Sequence, residues 1–358
     1  MKVLIDIGHP GHVHYFRNLI NNTCGINQFL VFARKRNVIE SLLKFYNIPY
    51  VSRGRGKDSS VGKILYMLYA DIIILIKSIR FKPDLMLSFS SPYAAQVSAL
   101  LRIPHIAMND TDHTDGVHKK FTYPFSDVII TPATYQHDLG EKHIRVNGTI
   151  EYFYLHPKYF TPDPSIFDLL GIEVGVPYVI VRFVSWQAFH DVNQKGLSLE
   201  EKLKIIALLS EKYRVFISSE NKLEEEFSQY QIKIPPHRMH DALAFSSLFV
   251  GESGTMASES ALLGVPVVYI NSLPLMCYLK LEQDHGILKH FKDGKGVYEY
   301  IETLIETPGL NDKVRLSRDE MVKSFINPTD FLIWFIENYP DSKRIMSENP
   351  DYQYRFNQ

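Results

Sequence analysis

Cysteine is close to absent from the 358 residues: Cys24 and Cys277 lie far apart, in neither a CxxC nor a Cys/His ligand spacing. That excludes a disulfide framework and a structural zinc site, and it fits a reducing cytoplasm. A charge surplus is absent as well. Thirty-nine Lys and Arg face 40 Asp and Glu, a formal charge of −1, which is too little positive charge to grip a polyanionic duplex, so nucleic acid is not an expected partner. Long apolar runs are missing: the segment Ile64 to Ile79 is shorter than the roughly 20 residues that cross a bilayer and carries Asp71 and Lys77. The opening MKVLIDIGHPGH has only a strand's length of apolar residues, interrupted by Asp6, unlike a secretory h-region. The expected location is the cytoplasm, either free or against the inner face of the membrane.

What is present is an ordinary globular composition, 45% hydrophobic and 22% charged with 19 Gly and 19 Pro, in a length that favours two domains at roughly 100–200 residues each. Short β-branched or Leu-rich runs alternate with helix-length segments, the order expected where helical crossovers join parallel strands. The first half supplies such runs at 3–7, 28–33, 49–52, 84–89, 105–109, 127–131 and 144–148. They are apolar enough to be buried on both faces of a doubly wound sheet. The pattern breaks between 151 and 176 into aromatic, Pro-rich sequence. It resumes with runs at 178–184, 214–219, 248–251 and 266–270, helices near 198–212, 221–230 and 254–264, and a helical tail from about 294 to 338. The expectation is an α/β protein of two Rossmann-like domains, 1–165 and 176–325, with parallel sheets facing across a cleft. For the C-terminal helix and tail, 326–358, a return to the first domain and contact with another subunit both stay open, as does the oligomeric state.

The most informative segment is LFVGESGTMASESALLGVPVVYI, residues 248–270. A strand ends at Gly251, a small-residue turn follows and a helix starts near Gly254. Gly251 and Gly254 would let a ligand approach the backbone, while the free N–H groups of Gly254, Thr255 and Met256 and the helix dipole would face an anion. Ser253 and Thr255 add hydroxyl donors. Glu259 sits one turn in, positioned either for a ribose or sugar diol or as a solvated charge near the positive end of the helix. No Gly-Lys-Ser/Thr follows the turn and no GxGxxG fingerprint is present, so kinase and dehydrogenase readings lose ground.

The stretch GESGTMASESALLGVP resembles the nucleotide-sugar motif in the C-terminal domain of GT-B glycosyltransferases and their non-hydrolytic relatives, including the UDP-GlcNAc 2-epimerases. More closely, the chain resembles a prokaryotic GT-B-like family of unknown function through VLIDIGHPGHVHYF, IPHIAMNDTDHT, YVIVRFVSWQAFHD and GESGTMASESALLGVP, in that order over about residues 1–335. The resemblance implies a GT-B-like fold, a nucleotide diphosphate sugar of UDP type as donor substrate, no required metal or other cofactor, and a carbohydrate or lipid-linked acceptor. The implied activity is a glycosyltransferase of surface polysaccharide or glycoconjugate synthesis. A 2-epimerase-like isomerase and a non-catalytic sugar-nucleotide-binding protein are the alternatives. The hydrolysing 2-epimerases carry a His-Arg-Arg-Glu-Asn run after the strand that corresponds to 178–184, and this chain has none.

Further polar clusters gather at strand ends. Gly8-His9-Pro10-Gly11-His12-Val13-His14 puts three imidazoles on a turn that, by the resemblance, faces acceptor or sugar. His12 is the preferred functional residue there, since an imidazole exchanges protons near neutral pH. A metal held by His9, His12 and His14 is not expected without an Asp, Glu or Cys complement. Asn109-Asp110-Thr111-Asp112-His113 offers Asp110 or Asp112 as general base with His113 orienting the proton, or else a local turn that leads into a helix cap at Thr114 or Asp115. Arg182 interrupts an apolar strand, and a buried guanidinium needs an anion: a ligand diphosphate or an internal carboxylate. The resemblance places His190, in a loop with Trp186, near sugar or phosphate, and Arg238 and Met239 near base or ribose, with Asp241 capping the helix that follows. Arg53-Gly54-Arg55-Gly56-Lys57, ahead of the apolar helix 61–80, is expected as a solvated loop, with docking on anionic lipid or an acceptor pyrophosphate the alternative.

Overall fold

A computed structural model describes residues 1–57, 59–183, 197–219, 223–272, 282–283 and 285–357. They fall into two compact units, Met1–Tyr159 with Ser324–Gln358, and Phe160–Lys323.

Unit 1 is built on a wholly parallel seven-stranded sheet in the order β3-β2-β1-β4-β5-β6-β7. The strands are β1 Lys2–Ile7, β2 Gln28–Ala33, β3 Tyr50–Ser52, β4 Leu85–Ser88, β5 His105–Met108, β6 Val128–Pro132 and β7 His143–Val146. Their apolar runs are covered on both sides by the crossover helices α1 Pro10–Thr23, α2 Asn37–Phe45, α3 Ser60–Phe81, α4 Pro92–Leu101 and α5 Asp115–Phe121. Local chemistry sets the helix starts. Pro10 and Pro92 occupy first-turn positions where a missing N–H costs nothing, behind caps from His9 and Ser91. One core layer of this unit gathers Leu4, Phe32, Ile74, Met86 and Val97. A short helix, α6 Tyr152–Leu155, ends the first segment.

Unit 2 carries a parallel five-stranded sheet in the order β12-β11-β10-β8-β9, from β8 Tyr178–Arg182, β9 Arg214–Ser218, β10 Leu248–Gly251, β11 Val267–Ile270 and β12 Leu288–Phe291. Its helices are α7 Ile166–Leu170, α8 Leu199–Ser210, α9 Met239–Ala244, α10 Gly254–Leu262, α11 Val297–Ile305 and α12 Leu310–Val322. Val179, Val181, Val250, Val268 and Ile217 from the sheet meet Leu209 of α8 and Phe227 in its core. Ser198 and Glu201 form a reciprocal capping box on α8. β12 lies outside the expected strands, because LKHF has one fully buried residue and no apolar run to announce it. Glu225–Tyr230, expected within an α-helix, is a 3-10 helix.

After unit 2 the chain returns to unit 1 through α13 Pro328–Glu337 and α14 Asp341–Glu348. Asn327 caps α13 by accepting from Thr329 and Asp330 N–H, and Thr329 Oγ1 donates to Phe153 O at 2.7 Å. Phe331, Leu332, Phe335 and Ile336 bury the face that packs on α1 and α6. Both units are Rossmann-like, each a parallel sheet with helical crossovers.

Candidate functional site

A doubly wound sheet opens a crevice at the carboxyl ends of the two strands where its order reverses, because the crossovers on either side leave in opposite directions. In unit 2 the reversal falls between β8 and β10, whose ends carry Arg182 and the turn Gly251-Glu252-Ser253. α10 starts immediately after. Ser253 is its N-cap in extended conformation, and its Oγ accepts from Met256 N–H at 3.5 Å. Of the three amides expected to face an anion, that of Met256 is therefore taken, and the Met256 side chain is buried. The N–H groups of Gly254 and Thr255 have no hydrogen-bond partner among the described residues, and both residues are half-exposed. Two orphan donors at the positive end of a nine-residue helix remain for a ligand.

Gly251 has a different reason to be glycine from the one expected. It stands opposite Arg182 in the β8–β10 register, and a Cβ there would lie 2.5 Å from Arg182 O. Close strand packing, not ligand approach, demands it. The Arg182 guanidinium reaches the strand on the other side, with Nη1 donating to Ser218 Oγ of β9 at 3.0 Å. Glu252, which sequence reasoning passed over, is fully buried and ties the turn in place: its Oε1 accepts from Leu197 N–H at 2.9 Å, its N–H donates to Arg182 O and its carbonyl accepts from Asn271 Nδ2.

Glu259 is not a solvated charge. It is 5% exposed, and its Oε1 lies 3.0 Å from His240 Nε2 on α9. Arg238 is committed to internal partners: Nε to Asp241 Oδ2 at 2.7 Å, and Nη2 to Ser165 Oγ at 3.0 Å and to Asp163. Asp241 lies inside the first turn of α9 rather than at its cap, and accepts from Asp163 N–H at 2.9 Å. The guanidinium thus fastens the 163–165 segment to α9, beside a half-buried Met239. His190 and Trp186 lie outside the described residues.

In unit 1 the order reverses between β1 and β4, and β1 leads into the histidine turn. Here the helix start is filled by its own sequence. Pro10 has no N–H, Gly11 N–H donates to His9 Nδ1 at 3.2 Å, and His12 N–H donates to His9 O at 3.0 Å. Gly8 N–H donates to His12 Nδ1 at 3.2 Å. An Nδ1 that accepts carries no proton, so neutral His12 bears its hydrogen on Nε2. Burial, then His9 and Arg53, hold the imidazole well below its usual range. His12 is therefore a neutral Nε2–H donor at pH 7 and not the proton-exchanging group expected from its type. His14 points elsewhere, packed on Tyr154 with Nδ1 near Arg17. Among the described residues no group of three or more His, Cys, Asp or Glu is arranged to hold a metal ion.

Next to His12 lies a buried ion pair that the sequence reading missed. Arg53, expected in a solvated loop, is 3% exposed; its Nε donates to Asp6 Oδ1 at 2.7 Å, and it lies over the Tyr93 ring. Ser91 Oγ also donates to Asp6, and Arg53 donates to Tyr66 OH. Burial opposes the guanidinium charge, but Asp6 together with Tyr66 and Tyr93 outweighs it, raising Arg53 above its ordinary value. The signal was available: an aspartate inside an apolar strand requires a partner.

At the end of β5, Asn109 Oδ1 accepts from the N–H groups of Asp110 and Thr111, while its Nδ2 donates to Tyr123 OH and Tyr135 OH. Asp110 accepts from Thr111 Oγ1 at 2.6 Å, and burial pushes its carboxyl up. Asp112 is 5% exposed; its Oδ1 accepts weakly from Gln136 N–H, its Oδ2 is buried with no hydrogen-bond partner among the described residues, and burial raises it to about 6. Asp115, expected at most to cap a helix, accepts from Tyr123 OH and Tyr135 OH and meets His137 Nδ1 at 2.8 Å. Burial would raise it, but these partners hold it below the usual carboxylate range. The side chain of His113 lies outside those described.

The family model described as protein of unknown function, DUF354, matches residues 1–328. An uncharacterized protein of Methanocaldococcus jannaschii, MJ0665, is 27% identical over 95% of this chain and 98% of its own length. Among solved structures, the S. aureus MnaA-UDP complex matches 95% of this chain and 97% of its own with a TM-score of 0.69 at 11% identity. The UDP-GlcNAc 2-epimerase of Neisseria meningitidis, bound to UDP-GlcNAc, matches 94% of this chain and all of its own (TM-score 0.64, 14% identity). The spinosyn rhamnosyltransferase SpnG with spinosyn aglycone covers 94% and 100% (TM-score 0.60, 13% identity). At these identities the likeness is one of fold.

Proposed function

The chain belongs to the DUF354 family of proteins of unknown function, and from that premise we propose that it is a metal-independent GT-B-type glycosyltransferase. Its donor would be a nucleoside diphosphate sugar of UDP type and its acceptor a carbohydrate or lipid-linked hydroxyl, in surface polysaccharide or glycoconjugate synthesis. The observation that carries the reading is the pair of open amides, Gly254 and Thr255, starting α10 at the strand-order reversal that also holds Arg182. Fold neighbours of both kinds are bound to nucleotide ligands: UDP, UDP-GlcNAc and, for SpnG in a second structure, thymidine diphosphate.

As the glycosidic bond to the leaving diphosphate breaks, negative charge grows on its bridging oxygen. Preorganised amide donors and a guanidinium stabilise that charge more in the transition state than in the ground state, which lowers the barrier. On the acceptor side, His12 supplies an Nε2–H that orients an oxygen without exchanging its proton. Asp112, with its carboxyl at about 6, is ionised at neutral pH and suited to accept the hydroxyl proton, with Asp110 beside it. The absence of a His-Arg-Arg-Glu-Asn run after β8 argues for transfer over 2-epimerisation.

Thermal shift of the full chain against UDP, UDP-GlcNAc and other nucleotide sugars tests the grip, with Arg182→Ala as control. Stabilisation by a nucleotide sugar, lost in the variant, supports it; no response to any nucleotide overturns it. Nucleoside diphosphate release that depends on an acceptor identifies the transferase, whereas solvent deuterium appearing at C2 without acceptor would identify an epimerase. Binding with neither would leave a sugar-nucleotide-binding protein.

A further inference from the structure

Helix α3 buries one narrow stripe, Tyr66, Ala70, Ile74 and Ser78 at four-residue spacing, against α4 and the core of unit 1. Its outward side is apolar as well. Val61, Leu65, Leu68, Ile72, Ile76 and Ile79 are each at least 50% exposed. Spaced by four and three residues, they fall on one arc about 80° wide and about 27 Å long. Patches this large and continuous mark interaction surfaces.

Charge says what covers it. Between residues 55 and 82 the chain carries six Lys and Arg against Asp58 and Asp71, although the whole chain is at −1. Arg55 and Lys57 precede the helix, and Lys77, Arg80 and Lys82 crowd its far end, all exposed. Asp71, the helix's one acid, is pushed up to about 7 by burial and then Asp6, so it contributes only part of a negative charge at neutral pH. A second copy is a poor occupant. Paired antiparallel, α3 would set Lys77, Arg80 and Lys82 against Arg55 and Lys57; paired parallel, each cation would meet itself. No helix among the described residues is long and apolar enough to cross a membrane, so a stripe of this kind lies along an interface rather than through it.

We propose that α3 is a membrane-docking helix: its outward aliphatic stripe enters the boundary of an anionic bilayer while the cations at both ends engage lipid phosphates. The proposal is independent of the nucleotide reading.

Flotation of the full chain with vesicles of phosphatidylcholine alone, or mixed with phosphatidylglycerol, tests it. The protein floats with the anionic vesicles, less so as salt rises, and little with phosphatidylcholine. Leu68→Glu combined with Ile72→Glu abolishes flotation. Lys77→Glu combined with Arg80→Glu weakens anionic-vesicle affinity by about fivefold or more per cation. These side chains lie outside the core, so the far-UV circular dichroism and melting temperature of both variants stay those of the parent. Three results overturn the proposal: no flotation of the parent on anionic vesicles, flotation unchanged in the Leu68→Glu/Ile72→Glu variant, or a parent dimer that this variant converts to monomer without any lipid binding.

Discussion

His12 shows how a backbone amide can decide a side chain's chemistry. Because Gly8 N–H donates to its Nδ1 and burial disfavours its charged form, the imidazole should stay neutral through the physiological range. Nitrogen-15 spectra of labelled protein should show the Nε2–H tautomer at pH 7 and no titration on lowering the pH through the ordinary imidazole value of about 6.5; protonation near that value would return His12 to general acid–base work. Asp112 is the opposite case, a carboxylate that burial makes costly. Its carboxyl is raised from 3.8 to about 6, so the folded state prefers the protonated form, and this contribution to stability is full below the unfolded value and lost as pH rises to 6 and above. Asp112→Asn should therefore stabilise the fold by about 1–3 kcal/mol at pH 8 and by almost nothing below the unfolded value, read from urea unfolding at both pH values. The same substitution should lower turnover by about 100-fold or more if Asp112 is the base. At this scale the sequence showed which residue types were gathered at the strand ends but not their states. The Asn109-Asp110-Thr111-Asp112 cluster was legible as a run of polar letters, whereas the burial of Asp112 Oδ2 and the Gln136 N–H that meets its Oδ1 are set by the tertiary fold and not by the local sequence.

At the scale of elements, α1 and α10 leave the carboxyl edges of their sheets in similar ways yet differ in what they offer. Pro10 and His9 consume the donors of α1, while Ser253 covers only one donor of α10. Thr255→Pro tests this directly. Proline is tolerated in a helix's first turn, and Gly254 ahead of it has no Cβ to clash, so the change deletes one N–H and leaves the helix. UDP affinity should fall about tenfold, in keeping with a lost hydrogen bond to a charged group, with a near-parental melting temperature; unchanged affinity would remove the amides from the proposed site. Gly251→Ala should act in the other order, costing about 1–3 kcal/mol by overpacking against Arg182 O, as measured by denaturant unfolding. The seven strands of unit 1 were readable from their short apolar runs, and α10 from the small-residue turn that follows Gly251. β12 was not, because a four-residue edge strand draws its identity from the hydrogen bonds of β11 more than from its own side chains.

On the scale of the molecule, the chain leaves unit 1 once and comes back, so unit 2 is one continuous segment and unit 1 is two. The returning α13 was readable only as part of the helical tail from about 294 to 338, and its partners come from distant sequence: Phe153 O for Thr329, and Asn147 O for the N–H of Ile326. No local pattern encodes such a choice. α13 buries Phe331, Leu332, Phe335 and Ile336, and at about 1.5–3 kcal/mol for each such side chain their sum is of the order of a whole domain's stability of about 5–15 kcal/mol. Ending the chain after Lys323 should therefore unfold or strongly weaken unit 1 while sparing unit 2. Scanning calorimetry of full-length and truncated protein, each with and without UDP, separates the two. The transition that UDP raises should persist in the truncated chain because Arg182 and α10 belong to unit 2, and the other should drop or vanish. Loss of the UDP-sensitive transition instead would mean that the nucleotide grip depends on unit 1.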